Sequence, residues 1–182
     1  MHIDPNNTWR KVEERLKTER DPRRRRNLET VLAHMKAEAF GDLDGLMATI
    51  TRKQTPSYHA YSSPEAIMSP QSVQAVREFY AAFVMSGAVK LELDVERLVV
   101  DDDVVVTEGV MKIAYPGKLL RLLGHAVDDA EAFYLFETRM CVLWPMDKEG
   151  RVIGEDSYTA GDGFAGIASR KLAASALGEA SR

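Results

Sequence analysis

The sequence predicts an α+β domain in which N-terminal helices pack on the concave side of a curved, cone-like antiparallel sheet. In the first half of the chain, apolar residues recur at helical spacing, as they do from Leu28 to Met35. After Gly87 the period changes to two, and apolar and charged residues alternate from Val89 to Glu96. Strands that follow one another through short turns form an antiparallel meander, which places the chain in the α+β class.

Four helices are predicted before the sheet, beginning with an amphipathic segment that runs to about Glu19. Three helix starts are marked by a capping Asp or Ser before a proline, since the side-chain oxygen accepts an early N–H and proline needs none. These starts are Asp4-Pro5, Asp21-Pro22 and Ser69-Pro70. Gly41 fits the end of the second helix, and Asp42 caps a short third one. The last helix is expected from about Pro70 to Ser86.

Four strands are expected at about 89–100, 104–115, 133–144 and 151–159, after a short extended piece at Ser57–Tyr61. The apolar positions of the first strand change parity near Glu96–Arg97. A strand cannot change faces without an extra residue, so we expect a β-bulge there. Asp101–Asp103 and Asp147–Gly150 are predicted turns. The stretch Pro116–Ala130 is expected to form a short helix or a flap.

The chain of 182 residues fits one domain with its own core. We divide it into an N-terminal helical arm (1–26), the α+β domain (27–160) and a flexible C-terminal tail (161–182). The tail is rich in Gly, Ala and Ser, which indicates only partial order.

The composition argues against several kinds of partner. With 24 Lys and Arg against 28 Asp and Glu, the net charge of −4 is unfavourable for nucleic acid. The run Arg23–Arg26 suits an anion, a membrane headgroup or RNA, although a solvated helix start is the interpretation we favour. No apolar stretch is long enough for a membrane helix, and the N-terminus lacks an apolar signal core. We therefore expect no membrane partner and a cytoplasmic protein.

The sequence offers no pattern for a metal or a cofactor. The single Cys141 excludes an internal disulfide and a zinc site of paired cysteines. The four histidines do not cluster at ligand spacing, and there is no glycine-rich phosphate loop. We expect neither a metal nor a cofactor.

Three stretches of the chain resemble the nuclear transport factor 2-like (NTF2-like) superfamily and its SnoaL-like members. They are NLETVLAHMKAEAFGDLDGLMATIT, then SYHAY followed by SPQSVQAVREFYAAF, then FETRMCVLWPMDKEGRVIGEDSY. Together they span most of residues 27–159. The superfamily includes polyketide cyclases, ketosteroid isomerase and limonene-epoxide hydrolase. The resemblance therefore implies a pocket for a small apolar molecule, but no single activity, because this fold carries many.

The predicted strand 133–144 has two unlike faces, one of which is almost wholly apolar. The other face carries Glu137, Arg139 and Cys141. This charged face either points to solvent as a surface ion pair or lines the pocket, with the apolar face then lying against a second copy of the chain. The resemblance favours the pocket, because epoxide hydrolases of the superfamily carry Arg-x-Asp where this chain has Arg139-Met140-Cys141.

The chain departs from the hydrolase pattern at two positions. Cys141 stands where the resemblance requires an aspartate, and Ser157 falls near the position of the second one. Epoxide hydrolysis needs a carboxylate base for water and an acid for the epoxide oxygen. The resemblance therefore does not imply this activity.

Two carboxyl groups are candidates for proton transfer. Glu155 shares a strand face with Ser157 and has the parity of pocket-lining positions in the superfamily. Burial in an apolar cavity would raise its pKa and make it a base near neutral pH, whereas a solvated strand residue would do neither. Glu108 is a weaker candidate of the same kind.

The stretch around His59 lines the pocket mouth in the related proteins. The unperturbed pKa of a histidine side chain suits proton transfer, which makes His59 a candidate, although a lone histidine is more often structural. Tyr58 can donate a hydrogen bond to a developing oxyanion, and Tyr61 lies beside it in the sequence.

Two functions remain open from the sequence. The first is a cofactor-independent isomerase, cyclase or dehydratase that acts on an apolar carbonyl compound. In it His59 or Glu155 moves a proton and Arg139 helps to hold the negative charge. The expected substrate-binding residues are Tyr58, Tyr61, Glu137, Cys141, Ser157 and Glu108. The second is a non-catalytic ligand-binding or dimerisation module. We expect a homodimer through the sheet face in either case.

Overall fold

The computed structural model describes residues 2–61, 68–88 and 90–181. Its α-helices are α1 (Asn7–Leu16), α2 (Pro22–Phe40), α3 (Leu43–Thr49), α4 (Val73–Ser86) and α5 (Gly117–Leu122). Its strands are β1 (His59–Ala60), β2 (Leu91–Val100), β3 (Val104–Pro116), β4 (Phe133–Pro145), β5 (Asp156–Ala160) and β6 (Lys171–Leu172). Two short 3₁₀ helices, Ile167–Ser169 and Ala174–Ala176, flank β6. Val89, predicted to begin the first strand, lies outside the described residues.

The strands form one open sheet in the order β1-β5-β4-β3-β2, and β6 pairs with the start of β4. The predicted antiparallel meander is confirmed for β2 to β5, while β1 adds a parallel pair with β5. The predicted bulge is confirmed by a register shift between Val95 and Arg97. Opposite it lies Gly109, where a Cβ atom would stand 1.9 Å from the Asp94 carbonyl oxygen. Only glycine allows this close approach, so the bend of the sheet depends on it.

The ends of α2 and the start of α3 follow the predicted capping rules. The Asp21 side chain accepts hydrogen bonds from the backbone N–H groups of Arg23 and Arg24. Gly41 ends the helix in the left-handed conformation at φ 62°. The Asp42 side chain then caps α3 through the N–H of Gly45. These local signals fix where α2 begins and ends, and hence where its side chains point.

Three element boundaries differ from the prediction. The first helix begins after Asn6, because the Asp4 side chain bonds the Asn6 N–H in a turn before the helix. The helix α4 begins after Ser72, whose hydroxyl accepts from the Ala75 N–H. The last strand of the hairpin is shorter than expected, because Val152 forms isolated bridges instead of a ladder.

Helices α1 to α4 pack against one face of the sheet and form the main hydrophobic core. Trp9 and Val12 of α1, Leu28 of α2 and Tyr80 of α4 meet Trp144 of β4 there. A smaller cluster lies under α5 at the other end of the same face. Its buried members are Leu120, Val127, Tyr134 and Ile167.

The two chain ends run beside the sheet. The arm helix α1 contributes to the main core, and the Thr8 hydroxyl accepts a hydrogen bond from the Leu93 N–H of the edge strand. Residues 161–181 follow the sheet, with Ile167 and Ala176 buried. The division into 1–26, 27–160 and 161–182 stays a prediction.

The arginine run at the start of α2 is paired with the turn between β2 and β3. Arg23 bonds the Asp102 carbonyl and the Asp103 carboxylate, and Arg24 lies 3.0 Å from both the Asp101 and the Asp102 carboxylates. We call these residues the arginine–aspartate clasp. The positive charges of these arginines are therefore paired with the negative charges of these aspartates. In the described parts of the chain, no helix is both long and apolar enough to cross a bilayer.

Candidate active site

The two faces of the sheet can be assigned from β4. Val142 and Trp144 are buried in the main core under the helices, so the apolar face of β4 is the inner face. Glu137, Arg139 and Cys141 therefore lie on the outer face. This corrects the expectation, drawn from the resemblance, that the charged face lines the pocket. Burying the apolar face removes more apolar surface from water and leaves the charges solvated.

Arg139 belongs to an ion-pair group on the outer face. Its guanidinium contacts the carboxylates of Glu96 and Glu108, which raises the pKa of Arg139 still further and lowers that of Glu96. The Arg139 side chain is 41% exposed, so solvent screens these pairs. Burial raises the pKa of the neighbouring Cys141 thiol, which favours the unreactive thiol form.

His59 and Tyr61 also face outward. His59 is opposite Asp156 in the parallel pair, and its Nδ1 lies 2.7 Å from Asp156 Oδ1. Tyr61 stacks on Tyr158 with ring centroids 4.6 Å apart, and both rings are largely exposed. Six of the predicted site residues therefore lie on the outer face and cannot contribute to a site on the inner face. They are His59, Tyr61, Glu108, Glu137, Arg139 and Cys141.

Glu155 lies on the inner face, at the end of a connected group of polar side chains. The Tyr80 hydroxyl contacts its Oε1 atom, and His34 Nε2 lies 3.3 Å from the same oxygen. The Tyr80 hydroxyl is 3.0 Å from His34 Nε2, and His34 Nδ1 is 2.8 Å from the Thr49 hydroxyl. Thr49 in turn donates to the Leu46 carbonyl at 2.6 Å. We call Glu155, Tyr80, His34 and Thr49 the Glu155 network.

Aromatic rings hold this network in place. The His34 ring meets Trp144 edge-on at 5.2 Å and Tyr80 at 5.4 Å, and Tyr58 meets Tyr80 at 6.3 Å. The Trp144 indole N–H is fixed by the Thr107 hydroxyl at 3.0 Å. Edge-to-face contacts of this kind restrict ring orientation. The nitrogen atoms of His34 are therefore held in fixed directions.

Burial controls the ionisation of the network. It lowers the pKa of His34 to about 3, so the imidazole is neutral. It raises the pKa of Glu155 to about 7, against the opposing effect of the Tyr80 and Tyr58 hydroxyls. Both tyrosines have pKa values raised by burial and by the negative charge of Glu155, so they stay protonated.

A second carboxyl group, Glu38, lies beside the network. It follows His34 by one helical turn and so shares its face of α2. Burial and repulsion by Glu155 raise the pKa of Glu38 to about 8. No hydrogen bond from a described residue contributes to that shift. Two carboxyl groups thus share one apolar environment.

The Tyr58 hydroxyl is buried next to these groups without a hydrogen bond of good geometry. The residue itself is 3% exposed. Because a buried hydroxyl without a partner loses free energy, this donor is available to a ligand. Ser157 lies on the same inner face, two residues after Glu155, and is half-buried.

Aromatic and imidazole side chains fill the region beside Glu155, where Tyr58, Tyr80, Trp144 and His34 are all buried. The Glu155 side chain nevertheless keeps 20% of its surface exposed, so water reaches this carboxyl group. A cleft of about 780 Å³ lies between the end of α2 and residues 177–180, and no network residue lines it.

The sequence predicted three of the residues that meet here: Glu155, Tyr58 and Ser157. It missed His34, Glu38, Tyr80 and Thr49. The available signal was the spacing of His34 and Glu38, which are four residues apart and so share one face of α2. In the described part of the chain, no three His, Cys, Asp or Glu side chains converge as metal ligands.

Neither a protein-family profile nor a curated protein sequence matches the chain. Solved structures match it in fold. A Shewanella putrefaciens CN-32 protein classed as a SnoaL-like polyketide cyclase has a TM-score of 0.63 at 11% identity, over 87% of this chain and 92% of that chain. An LEH-like epoxide hydrolase from M. tuberculosis has a TM-score of 0.60 at 16% identity, over 82% and 94%. SalBIII, an epoxide hydrolase/cyclase-like enzyme in pyran ring formation in the polyether salinomycin, has a TM-score of 0.53 at 11% identity, over 74% and 90%.

These likenesses establish the class of the fold: the chain has an NTF2-like α+β fold. Its structural neighbours with that fold are SnoaL-like proteins, LEH-like epoxide hydrolases and other NTF2-like proteins. The predicted fold is confirmed.

Proposed function

We propose that the protein is a cofactor-independent enzyme that moves protons on a small, neutral, apolar carbonyl compound, using the carboxyl pair Glu155 and Glu38. The observation that carries this proposal is the pair itself. Two carboxyl groups with pKa values near neutrality lie beside a buried tyrosine hydroxyl that makes no hydrogen bond of good geometry. Perturbed carboxyl groups in an apolar cleft are a signature of acid–base sites.

The charges of the inner face favour a neutral substrate. The groups that shift the pKa of Glu155 and Glu38 are tyrosines and the two carboxyls themselves, with no lysine or arginine among them. Arg139, the cation expected in the pocket, lies on the outer face. An anionic substrate would meet repulsion from any ionised carboxyl, whereas a ketone or enone would not.

The proposed chemistry is proton transfer next to a carbonyl group. An ionised carboxyl removes a proton from the carbon beside the carbonyl. The electron pair of that C–H bond forms a C=C bond, and the π pair of the carbonyl group moves to its oxygen. The Tyr58 hydroxyl donates a hydrogen bond to this oxygen as negative charge develops. The carboxylic acid then returns the proton to another carbon in an isomerisation, or to a departing hydroxyl in a dehydration. Cyclisation through the same enolate is the third outcome.

The similar structures support this chemistry only in part. Two of them are described by epoxide hydrolase names. Epoxide opening also needs a general base and a general acid. In this chain, however, Cys141 and Ser157 replace the acidic residues that the resemblance requires. We therefore propose carbonyl chemistry and not epoxide hydrolysis.

Hydrogen–deuterium exchange tests the proposal without knowledge of the natural substrate. A panel of apolar cyclic enones and 1,3-dicarbonyl compounds is incubated with the protein in D₂O, and exchange next to the carbonyl is followed by proton NMR. We expect at least one compound to exchange faster than in buffer. The double variant Glu38→Gln/Glu155→Gln should lose about 100-fold or more of that rate, the usual contribution of a general base.

Asp156→Asn is the matched control, because Asp156 follows Glu155 but faces outward. It should exchange at the wild-type rate. No exchange above the buffer rate across the panel, or equal rates in the double variant and the wild type, would contradict the proposal.

The second function from the sequence, a dimerisation module, is favoured by one feature of the outer face. Tyr61 and Tyr158 form an exposed aromatic stack on this face, and Val99 near its opposite edge is 59% exposed. Because helices cover the inner face, a homodimer through the sheet would use this outer face. Sedimentation velocity at micromolar concentration should give a dimer, and Tyr158→Arg should shift it to monomer. A wild-type monomer would end this second proposal and leave the enzymatic one intact.

A further inference from the structure

We propose that Glu38 is the catalytic base of this site, and that a one-way chain of hydrogen bonds ending on the Leu46 carbonyl holds Glu155 as a neutral carboxylic acid. This assignment of roles rests on the proposed function. Which atom donates in each hydrogen bond of the chain can be derived from its members alone. The derivation begins at the Leu46 carbonyl, which can only accept.

The Leu46 carbonyl oxygen fixes the direction of the first hydrogen bond. It has no proton, so the contact of 2.6 Å to the Thr49 hydroxyl uses the single Thr49 proton. The Thr49 oxygen, 2.8 Å from His34 Nδ1, must then accept. His34 therefore carries a proton on Nδ1.

The proton on Nδ1 of the buried His34 imidazole also fixes the direction of the hydrogen bond between His34 and Tyr80. A neutral ring has one N–H only, so Nε2 is an acceptor once Nδ1 is protonated. The Tyr80 hydroxyl, 3.0 Å from Nε2, supplies the proton. Tyr80 then has none left for Glu155.

The contact between the Tyr80 oxygen and Glu155 Oε1 therefore needs a proton from Glu155. If Glu155 were ionised, its Oε1 atom would be repelled by a lone pair of the Tyr80 oxygen. It would also be repelled by the lone pair of His34 Nε2 at 3.3 Å. A neutral Glu155 supplies the donor that the contact with Tyr80 lacks.

The groups that face Glu155 come from three parts of the chain. They are His34 and Glu38 from α2, Tyr80 from α4, and Tyr58 from the segment before β1. None of them is a cation at neutral pH. If Glu155 is neutral, it no longer repels a negative charge on Glu38. The pKa of Glu38 is then raised less, which suits a base at neutral pH.

The proton balance of the reaction follows from these roles. The Glu38 carboxylate takes the proton from the carbon beside the substrate carbonyl, and the Glu38 carboxylic acid later returns it. Glu155 keeps its proton on Oε1 throughout. No other co-reactant is needed.

Thr49 sets the direction of the chain, so it provides the test. Thr49→Val removes the hydroxyl, frees His34 to carry its proton on Nε2, and turns the Tyr80 proton toward Glu155. Carbon-13 NMR of labelled glutamate, assigned by comparison with Glu155→Gln, should show Glu155 as a neutral acid at pH 7 in the wild type. Thr49→Val should shift that signal toward the carboxylate position, and the matched control Thr49→Ser should not.

Nitrogen-15 NMR of histidine in the wild-type protein gives a second, independent measurement. We expect His34 as the Nδ1–H tautomer across pH 5–8. The Nε2–H tautomer in the wild type, or a Glu155 signal that Thr49→Val leaves in place, would overturn the chain. This measurement needs no variant to fold.

The exchange assay separates this inference from the proposed function. Glu38→Gln should lower the exchange rate about 100-fold or more, while Glu155→Gln, whose amide can replace a neutral acid, should lower it by less than about tenfold. A loss that is larger for Glu155→Gln would overturn the assignment of the base and keep the proposed function. An unchanged rate in the double variant would end both.

Discussion

Glu155 and Asp156 are neighbours in the chain, and they lie on opposite faces of one sheet. Glu155 faces inward, where Tyr80 and His34 contact it and burial raises its pKa to about 7. Asp156 faces outward and pairs with His59, whose side chain is 43% exposed. Both acids have a histidine within 3.5 Å, but only one of them is surrounded by apolar atoms. The environment, and not the residue type or the presence of a histidine, therefore decides which carboxyl has its pKa raised toward neutrality.

The two faces also differ in how much they hold the protein together, and a pair of aromatic substitutions measures this. Trp144→Ala on the inner face removes a buried ring that packs on His34 and bonds Thr107. It should lower the free energy of unfolding by about 3–5 kcal/mol, as large core truncations do. Urea denaturation followed by circular dichroism is the measurement.

Tyr158→Ala is its counterpart on the outer face, where the ring is 46% exposed. In the monomer it should cost only about 0.5 kcal/mol, as surface substitutions usually do. Similar losses in both variants would mean that the outer face is also covered, for instance by a second copy of the chain.

The pH dependence of stability sharpens the comparison between the two acids. Glu155 has a pKa of about 7 in the folded protein against 4.5 as the reference value, so the folded state holds this proton more tightly than the unfolded state. Its contribution is fully present below pH 4.5 and is lost as the pH rises to about 7. The loss amounts to roughly 3 kcal/mol.

Urea denaturation between pH 4 and 8 tests this expectation. The free energy of unfolding should fall with rising pH in the wild type and in Asp156→Asn, and should fall less in Glu155→Gln. Glu38 adds to the slope up to about pH 8, because its pKa is raised in the same direction. A slope that Glu155→Gln leaves unchanged would show that Glu155 is ionised in the folded protein well below neutrality.

The smallest effect is expected for the ion pairs of the outer face. Arg139→Met removes the contacts to Glu96 and Glu108, which water and salt already screen. The free energy of unfolding should change by less than about 1 kcal/mol. The exchange rate of the best carbonyl compound should stay at the wild-type value. A tenfold fall would show that Arg139 contributes to the active site.

The sequence predicted the elements well where a single residue sets the backbone. Asp21, Gly41 and Asp42 cap their helices as expected, and the change of parity near Glu96 located the bulge. Each of these signals acts within a few residues. The proline-marked start at Ser69 failed because a second capping residue, Ser72, lies three positions later and bonds the helix instead.

The site was harder to predict, for two physical reasons. His34, Thr49, Tyr80 and Glu155 come from four separate segments and meet only when the helices pack on the sheet, so no local spacing brings them together. The orientation of β4 could have been predicted. Its alternation already distinguished an apolar face, and burial of that face outweighs a likeness to the Arg-x-Asp pattern.

The arginine–aspartate clasp has a consequence for protein engineering. Hairpin tips usually accept inserted sequence, yet both long hairpins here dock their tips on the start of α2. Asn27 bonds the carbonyls of Asp101 and Asp102, and Thr30 bonds the Gly150 carbonyl at 2.6 Å. An inserted tag at either tip would therefore displace the helix that carries His34 and Glu38. The end of α5 is a better place, because an added Cβ at Gly124 would have no atom within 4 Å.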